Sequence, residues 1–122
     1  MKITQQIVVF DAADIAAESA FWAGVLGGTV DADDDWHSVI VDGKSPVAVQ
    51  LAPDHIPPEW PDGTPQQIHL DLYVEDFPAA HQHVMALGAR VLQEAAMSGP
   101  GPDTFQVYAD PAGHPFCLCF TK

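Results

Sequence analysis

One pattern occurs twice in this chain, and any fold has to accommodate both copies. The run Gln6-Ile7-Val8-Val9-Phe10 is β-branched and aromatic. It leads to Asp14, a residue type whose short carboxylate caps helices, and then to a helix predicted over 15–26 that ends at Gly27-Gly28. Further on, a strand predicted over 67–75 leads to Asp76, a helix over 77–87 and a stop at Gly88. Each helix is followed by three short strand signals. In the first copy they fall near 29–31, 36–41 and 47–52, and in the second near 89–93, 104–108 and 115–120. Each copy therefore reads as a βαβββ unit. One such unit cannot bury its sheet alone, so the chain is expected to form a single α+β domain over 1–122 from two tandem units. Module one covers about 3–53 and module two about 66–122. The connector 54–65 holds Pro57-Pro58-Glu59-Trp60-Pro61, which suits neither a helix nor a central strand.

Periodicity then sorts the side chains. In the first helix the apolar positions Ile15, Trp22, Val25 and Leu26 mark the expected buried stripe; in the second they are Phe77, Ala80, Val84 and Leu87. Along strand 67–75, alternation places Ile68, Leu70, Leu72 and Val74 on a helix-packed face, with Gln67, His69, Asp71, Tyr73 and Glu75 opposite. In the last strand Phe116, Leu118 and Phe120 share one face. Cys117 and Cys119 share the other, looking into the same space as His69. Two cysteines separated by one residue in a strand lack the geometry to bridge, so both are expected as free thiols, which suits a reducing, cytoplasmic compartment.

Charge excludes some partners. With 17 acidic residues against 4 basic ones and a net charge of −13, the chain is a poor match for nucleic acid or anionic membranes. No apolar run approaches the roughly twenty residues of a membrane span. An acidic surface serves solubility and also favours cationic ligands.

The chemistry-bearing candidates cluster on the polar face. His69 and Asp71 can form an acid/base pair, or His69 can ligate a metal; the alternative is a histidine satisfied by its neighbouring carboxylate. Cys117 offers a soft ligand, although a cysteine pair without further Cys or His at metal-site spacing is a weak signal. Trp36, beside an acidic run, and Trp60, in the proline loop, either wall a binding site or plug a sheet or subunit contact. Gln50, Tyr73 and Phe105 complete the expected ligand-binding set. His81 and His83, two apart on a helix, point in different directions and are expected to face solvent.

Taken together, Asp11-Ala-Ala-Asp14, Phe21-Trp22, Leu26-Gly27, Trp60-Pro-Asp, Gln66-Gln-Ile-His-Leu-Asp-Leu72, Leu87-Gly-Ala89 and Asp110-Pro-Ala-Gly-His-Pro-Phe-Cys117 give the chain a wider likeness. It resembles, over essentially its whole length, the glyoxalase, bleomycin-resistance and extradiol dioxygenase proteins of the vicinal oxygen chelate superfamily. The resemblance implies curved sheets forming a half-open barrel, commonly in a homodimer. In metal-dependent members it also implies a divalent ion held by one residue from the first and one from the fourth strand of each module, usually His and Glu. Carried onto this chain, the second-module positions are His69 and Cys117, where the usual Glu is missing. The first-module positions fall at Ile7 or Gln6 and near Gln50. That set is poor for a hard divalent ion, so no cofactor is expected; a metal, if present, would rest on His69 and Cys117. The leading functional expectation is a metal-free protein that binds or sequesters a small cationic or aromatic molecule. The alternative is a lyase or isomerase using His69 as general base, or as a ligand of a non-standard metal.

Overall fold

The computed structural model describes all residues from Met1 to Lys122, which divide into two compact units, Met1–Ile56 and Pro57–Lys122. The first contains β1 (Val8–Ala12), α1 (Ile15–Leu26), β2 (Thr29–Ala32), β3 (Trp36–Val41) and β4 (Lys44–Leu51). The second contains β5 (Leu70–Tyr73), α2 (Phe77–Ala86), β6 (Arg90–Gln93), β7 (Asp103–Ala109) and β8 (Pro115–Thr121). The two sheets share one topology, β1-β4-β3-β2 and β5-β8-β7-β6, each open, with the first and last strands parallel and the others antiparallel. The chain is thus an α+β fold of two tandem βαβββ modules. No helix is long and apolar enough to cross a membrane.

Local chemistry explains where the elements begin and end. The Asp14 and Asp76 carboxylates accept hydrogen bonds from the amides of Ala17 and Ala79, each at 3.0 Å, satisfying donors that a helix start leaves unpaired. Between β3 and β4 the two-residue turn has positive φ at both Asp42 (50°) and Gly43 (75°), the geometry that matches hairpin twist. β4 starts earlier than hydropathy suggests because this turn pairs Lys44 with Val41, and Pro46 is tolerated beside a bulge in that pairing.

Module one packs around Trp22. Its ring stacks on Phe10 with centroids 4.9 Å apart and meets Phe21 edge-on at 5.3 Å. The buried helix face is Glu18, Ser19, Phe21, Trp22 and Ala23 rather than the stripe read from hydropathy; Ile15, Val25 and Leu26 are only half-buried. Polar partners make this possible. Trp22 Nε1 donates to Glu18 Oε1 at 3.1 Å, and Ser19 Oγ lies 2.8 Å from Nδ1 of His37, a buried histidine on β3.

In module two, α2 buries Val84 fully and sets Phe77 on Phe120, with ring centroids 3.9 Å apart. His81, expected in solvent, is instead half-buried. Its Nδ1 is 2.8 Å from the hydroxyl of Tyr108, which also accepts from Gln106 Nε2 at 3.1 Å, while Gln106 Oε1 accepts from the Ala95 amide at 3.1 Å. The Ala95 bond fixes the Gln106 amide, so that its Nε2 is the donor to Tyr108. His83 is exposed, as expected. Ile68 is a second departure: β5 begins only at Leu70, and Ile68 is 62% exposed rather than packed under the helix.

Burial of Tyr108 pushes its phenol up to about 12, against the opposing pull of the Gln106 hydrogen bond. Because the folded value is raised, that contribution is intact below pH 10 and is lost as the pH rises towards 12. Tyr108→Phe removes it and strands the Gln106 donor. Chemical denaturation at neutral pH is expected to show a loss of about 1–3 kcal/mol, and the variant should decline less than wild type between pH 10 and 12. Unchanged neutral stability would contradict this role.

Candidate functional site

The open face of the second sheet is fixed by register. Asp71 pairs with Cys117 and Tyr73 with Cys119 across the parallel β5/β8 ladder, while Cys117 and Cys119 pair with Val107 and Phe105 across β7/β8. Paired residues project to the same side, so Asp71, Cys117 and Val107 form one row and Tyr73, Cys119 and Phe105 the next. His69 stands immediately before β5, two residues from Asp71 and on the same face.

These rows floor a hollow of about 310 Å³ lined by His69, Asp71, Tyr73, Asp103, Thr104, Phe105, Cys117 and Cys119. A smaller hollow of about 180 Å³ adjoins it, sharing His69, Phe105 and Cys117 and adding Trp60, Gln66, Val107 and Pro115. Trp60 belongs to the proline-rich connector. That segment lies close to the Asp110 turn, where Gly113 has φ 90° and a Cβ there would collide with Pro57. The Gln66 side-chain oxygen is buried and has no hydrogen-bond partner.

His69, Asp71 and Cys117 form a connected array. His69 Nε2 lies 3.3 Å from Asp71 Oδ1, with the two side chains 43% and 45% exposed. The Cys117 thiol donates to the same carboxylate. His69 Nε2 and the Cys117 thiol therefore both address Asp71, and a proton carried on Nε2 leaves Nδ1 with the lone pair. Burial first, and then the charge and hydrogen bond of Asp71, push the Cys117 thiol up to about 12; burial and Asp71 also raise Cys119. Both are protonated thiols at neutral pH and poor nucleophiles.

Of the residues singled out in the sequence, His69, Asp71, Tyr73, Phe105, Cys117 and Trp60 come together around these hollows. Trp36 and Gln50 belong to the other unit, where they face each other as cross-strand partners on β3 and β4, and Trp36 Nε1 donates to Ser38 Oγ at 3.2 Å. Asp103 and Gln66 were not anticipated. Alternation along 67–75 stops short of both, and no spacing rule ties them to His69.

Aligning the modules by cap and register tests the metal site that the resemblance implies. Val9 pairs with Ala48 as Asp71 pairs with Cys117, and Ile7 precedes β1 as His69 precedes β5. The first-module counterparts of His69, Asp71 and Cys117 are therefore Ile7, Val9 and Ala48. Gln50 aligns with Cys119, one row beyond the position assigned to it by counting. Three hydrocarbon side chains supply no donor, and a neutral thiol replaces the fourth-strand carboxylate of module two. Residues from the two modules do not together fit a hard divalent ion.

Known proteins agree with the architecture. No curated protein sequence matches the chain. Among solved structures it is similar to the fosfomycin resistance protein FosX from Listeria monocytogenes, at 11% identity and TM-score 0.72, covering 100% of this chain and 96% of that one. It is similar to a glyoxalase/bleomycin resistance protein/dioxygenase family enzyme from Burkholderia phytofirmans PsJN, at 18% identity and TM-score 0.70, covering 95% and 97%. A glyoxalase family protein from Enterococcus faecalis matches at 16% identity and TM-score 0.70, covering 98% and 99%. At such identities the likeness speaks for the fold alone. The sequence model of the glyoxalase-like domain matches residues 7–119, and the chain belongs to that family.

Proposed function

We propose that this protein binds a small cationic or donor-rich aromatic molecule on the open face of module two, without using a metal shared between modules. One observation carries the reading: carboxylate, imidazole, thiol and aromatic side chains converge on a single hollow that has Asp71 and Asp103 but no Lys or Arg in its lining. A site so built repels anions and suits a cation, and a net charge of −13 raises the local concentration of cations further. Tyr73 and Phe105 stand on strands either side of β8, about 10 Å apart by strand spacing. Rings leaning inward from there can flank a flat guest. Asp71 and the unpaired oxygen of Gln66 are acceptors, so the guest is expected to bring N–H or O–H groups. The proposal extends to a homodimer in the cytoplasm. An anionic ligand finds no Lys or Arg in this hollow, so a cationic or neutral ligand class is favoured here.

The His69–Asp71 pair favours a second reading, in which His69 acts as general base on a small carbonyl substrate. Asp71 holds the imidazole through Nε2 and leaves Nδ1 to take the proton, an arrangement that serves catalysis only with a substrate atom within hydrogen-bond reach. His69→Ala separates the readings: turnover of any substrate found falls by a factor of about 100 or more if His69 is the base, and stays unchanged if it only binds.

Thermal-shift screening of cationic planar aromatics, their neutral isosteres and anionic analogues addresses the primary reading. A cation at a hundredfold its Kd is expected to stabilise the fold by about 2.7 kcal/mol, with Asp71→Asn weakening cations at least tenfold more than isosteres. Equal binding of anions would sink the idea. Thiol chemistry supplies an independent check on the site's electrostatics. With Cys117 raised from 9.0 to about 12, its alkylation by iodoacetamide at pH 8 should be far slower than that of a free thiol, rising about tenfold per pH unit until the pH nears 12. Fast modification of Cys117 at pH 8, read by peptide mass spectrometry, would refute that electrostatic picture.

A further inference from the structure

The two hollows of module two divide their charge unequally. The carboxylates Asp71 and Asp103 line the larger one, and the smaller has no Asp or Glu in its lining. What the smaller one offers is an aromatic wall at Trp60, the apolar side chains of Val107 and Pro115, and the buried side-chain oxygen of Gln66, an acceptor without a partner in the protein. We infer that the guest is an arylalkylamine: a flat heteroaromatic ring bearing an N–H lies against Trp60 and donates to Gln66 Oε1, while a short alkyl arm carries an ammonium group to Asp71. This rests on the cation-binding reading above and names the ring chemistry that the site selects and the residue that selects it.

Strand register supplies the spacing. On β8, Pro115 pairs with Ala109, and Cys117 pairs with both Val107 and Asp71, so the smaller hollow begins one same-face step before the row that holds the carboxylate. Such a step is about 6.6 Å, which two or three methylene groups cover. His69, Phe105 and Cys117 line both hollows, so ring and arm share one continuous surface. Size agrees. At about 180 Å³ the smaller hollow lies below the range of about 300–1,000 Å³ usual for a whole ligand site, and suits one ring system of a molecule that extends into its neighbour. Desolvation then decides what the ring must carry. An incoming N–H pairs the Gln66 acceptor, whereas a ring without one shuts water out and leaves that acceptor unpaired. Asp71 keeps lone pairs beyond those that His69 and Cys117 address, so it receives an ammonium group without losing either.

Calorimetric titration of the wild-type protein with three probes separates this inference from the reading beneath it. Tryptamine and indole-3-acetate share a ring and differ in the sign of the charged arm, so that pair tests the preference for cations. Tryptamine and its benzofuran isostere, in which oxygen replaces the ring N–H, test Gln66. Tryptamine is expected to bind about tenfold or more tightly than the isostere. Gln66→Met should bring that ratio to about one while leaving thermal stability unchanged or raised, since no hydrogen bond within the protein is lost. Trp60→Ala should weaken tryptamine about tenfold and leave butylamine, which has no ring, unaffected. Equal affinity of wild type for tryptamine and the isostere, a ratio that survives Gln66→Met, or no binding of either amine at millimolar concentration would each overturn the inference. The first two outcomes leave the cation reading standing, and binding of indole-3-acetate as tight as that of tryptamine would remove that reading as well.

Discussion

The constraint on which the rest depends is the parallel pairing of the first and fourth strands within each module. Parallel neighbours need a long connection, and here it is supplied by a helix and two further strands. The aspartate caps that start each helix at a fixed distance after the first strand set how that connection begins. Once β5 and β8 are paired, every residue on the open face has a fixed neighbour. The proximity of Asp71 to Cys117 and of Tyr73 to Cys119 is then a property of the ladder and not of flexible side chains. A site built on paired strands needs little reorganisation to receive a ligand, which limits the entropy lost on binding.

The two faces of that sheet obey different rules. Towards the helices, polar side chains pair with other side chains: Gln106, Tyr108 and His81 in module two and, on the equivalent face of module one, Glu18 with Trp22 and Ser19 with His37. Each is a buried network that orients its members and makes helix docking specific, as satisfied polar networks do. Towards the open side, polar groups keep spare capacity. His69 Nδ1, the remaining lone pairs of Asp71 and the oxygen of Gln66 still have interactions to offer. That contrast distinguishes His69 from His81 better than exposure does, because both are partly exposed.

Whatever depended on local chemistry was legible in the sequence. Both helices begin where their aspartates cap them, the two-module α+β organisation follows from the repeat, and period-two alternation placed His69, Asp71, Tyr73 and Cys117 on one face. What depended on tertiary pairing was not. Strand ends moved by one to three residues because hydrogen-bond partners, not composition, decide where a ladder stops; β5 stops short of Ile68 for that reason. Sequence alone leaves His81 facing solvent, because its own helix gives no hint that Tyr108 and Gln106 reach it from β7. The stripe of α1 was misjudged because hydropathy scores Glu18 and Ser19 as surface residues, while their partners bury them. Gln50 was matched by counting to the position of Cys117, and only the register shows that Ala48 stands there.

The register comparison bears most directly on function. A duplicated scaffold begins with equivalent positions, and selection on a shared site keeps donors in both copies. Here the three positions that carry His69, Asp71 and Cys117 in one module carry Ile7, Val9 and Ala48 in the other. Polar donors at these positions stand in the second copy alone, where a single carboxylate faces both an imidazole and a thiol. That carboxylate offers about four lone-pair sites, so it can keep both neighbours and still face a cation. Ligand binding and proton abstraction by His69, the two functions proposed, would both draw on Asp71. With hydrocarbon at the matching positions of module one, both proposals rest on a few side chains along one parallel ladder.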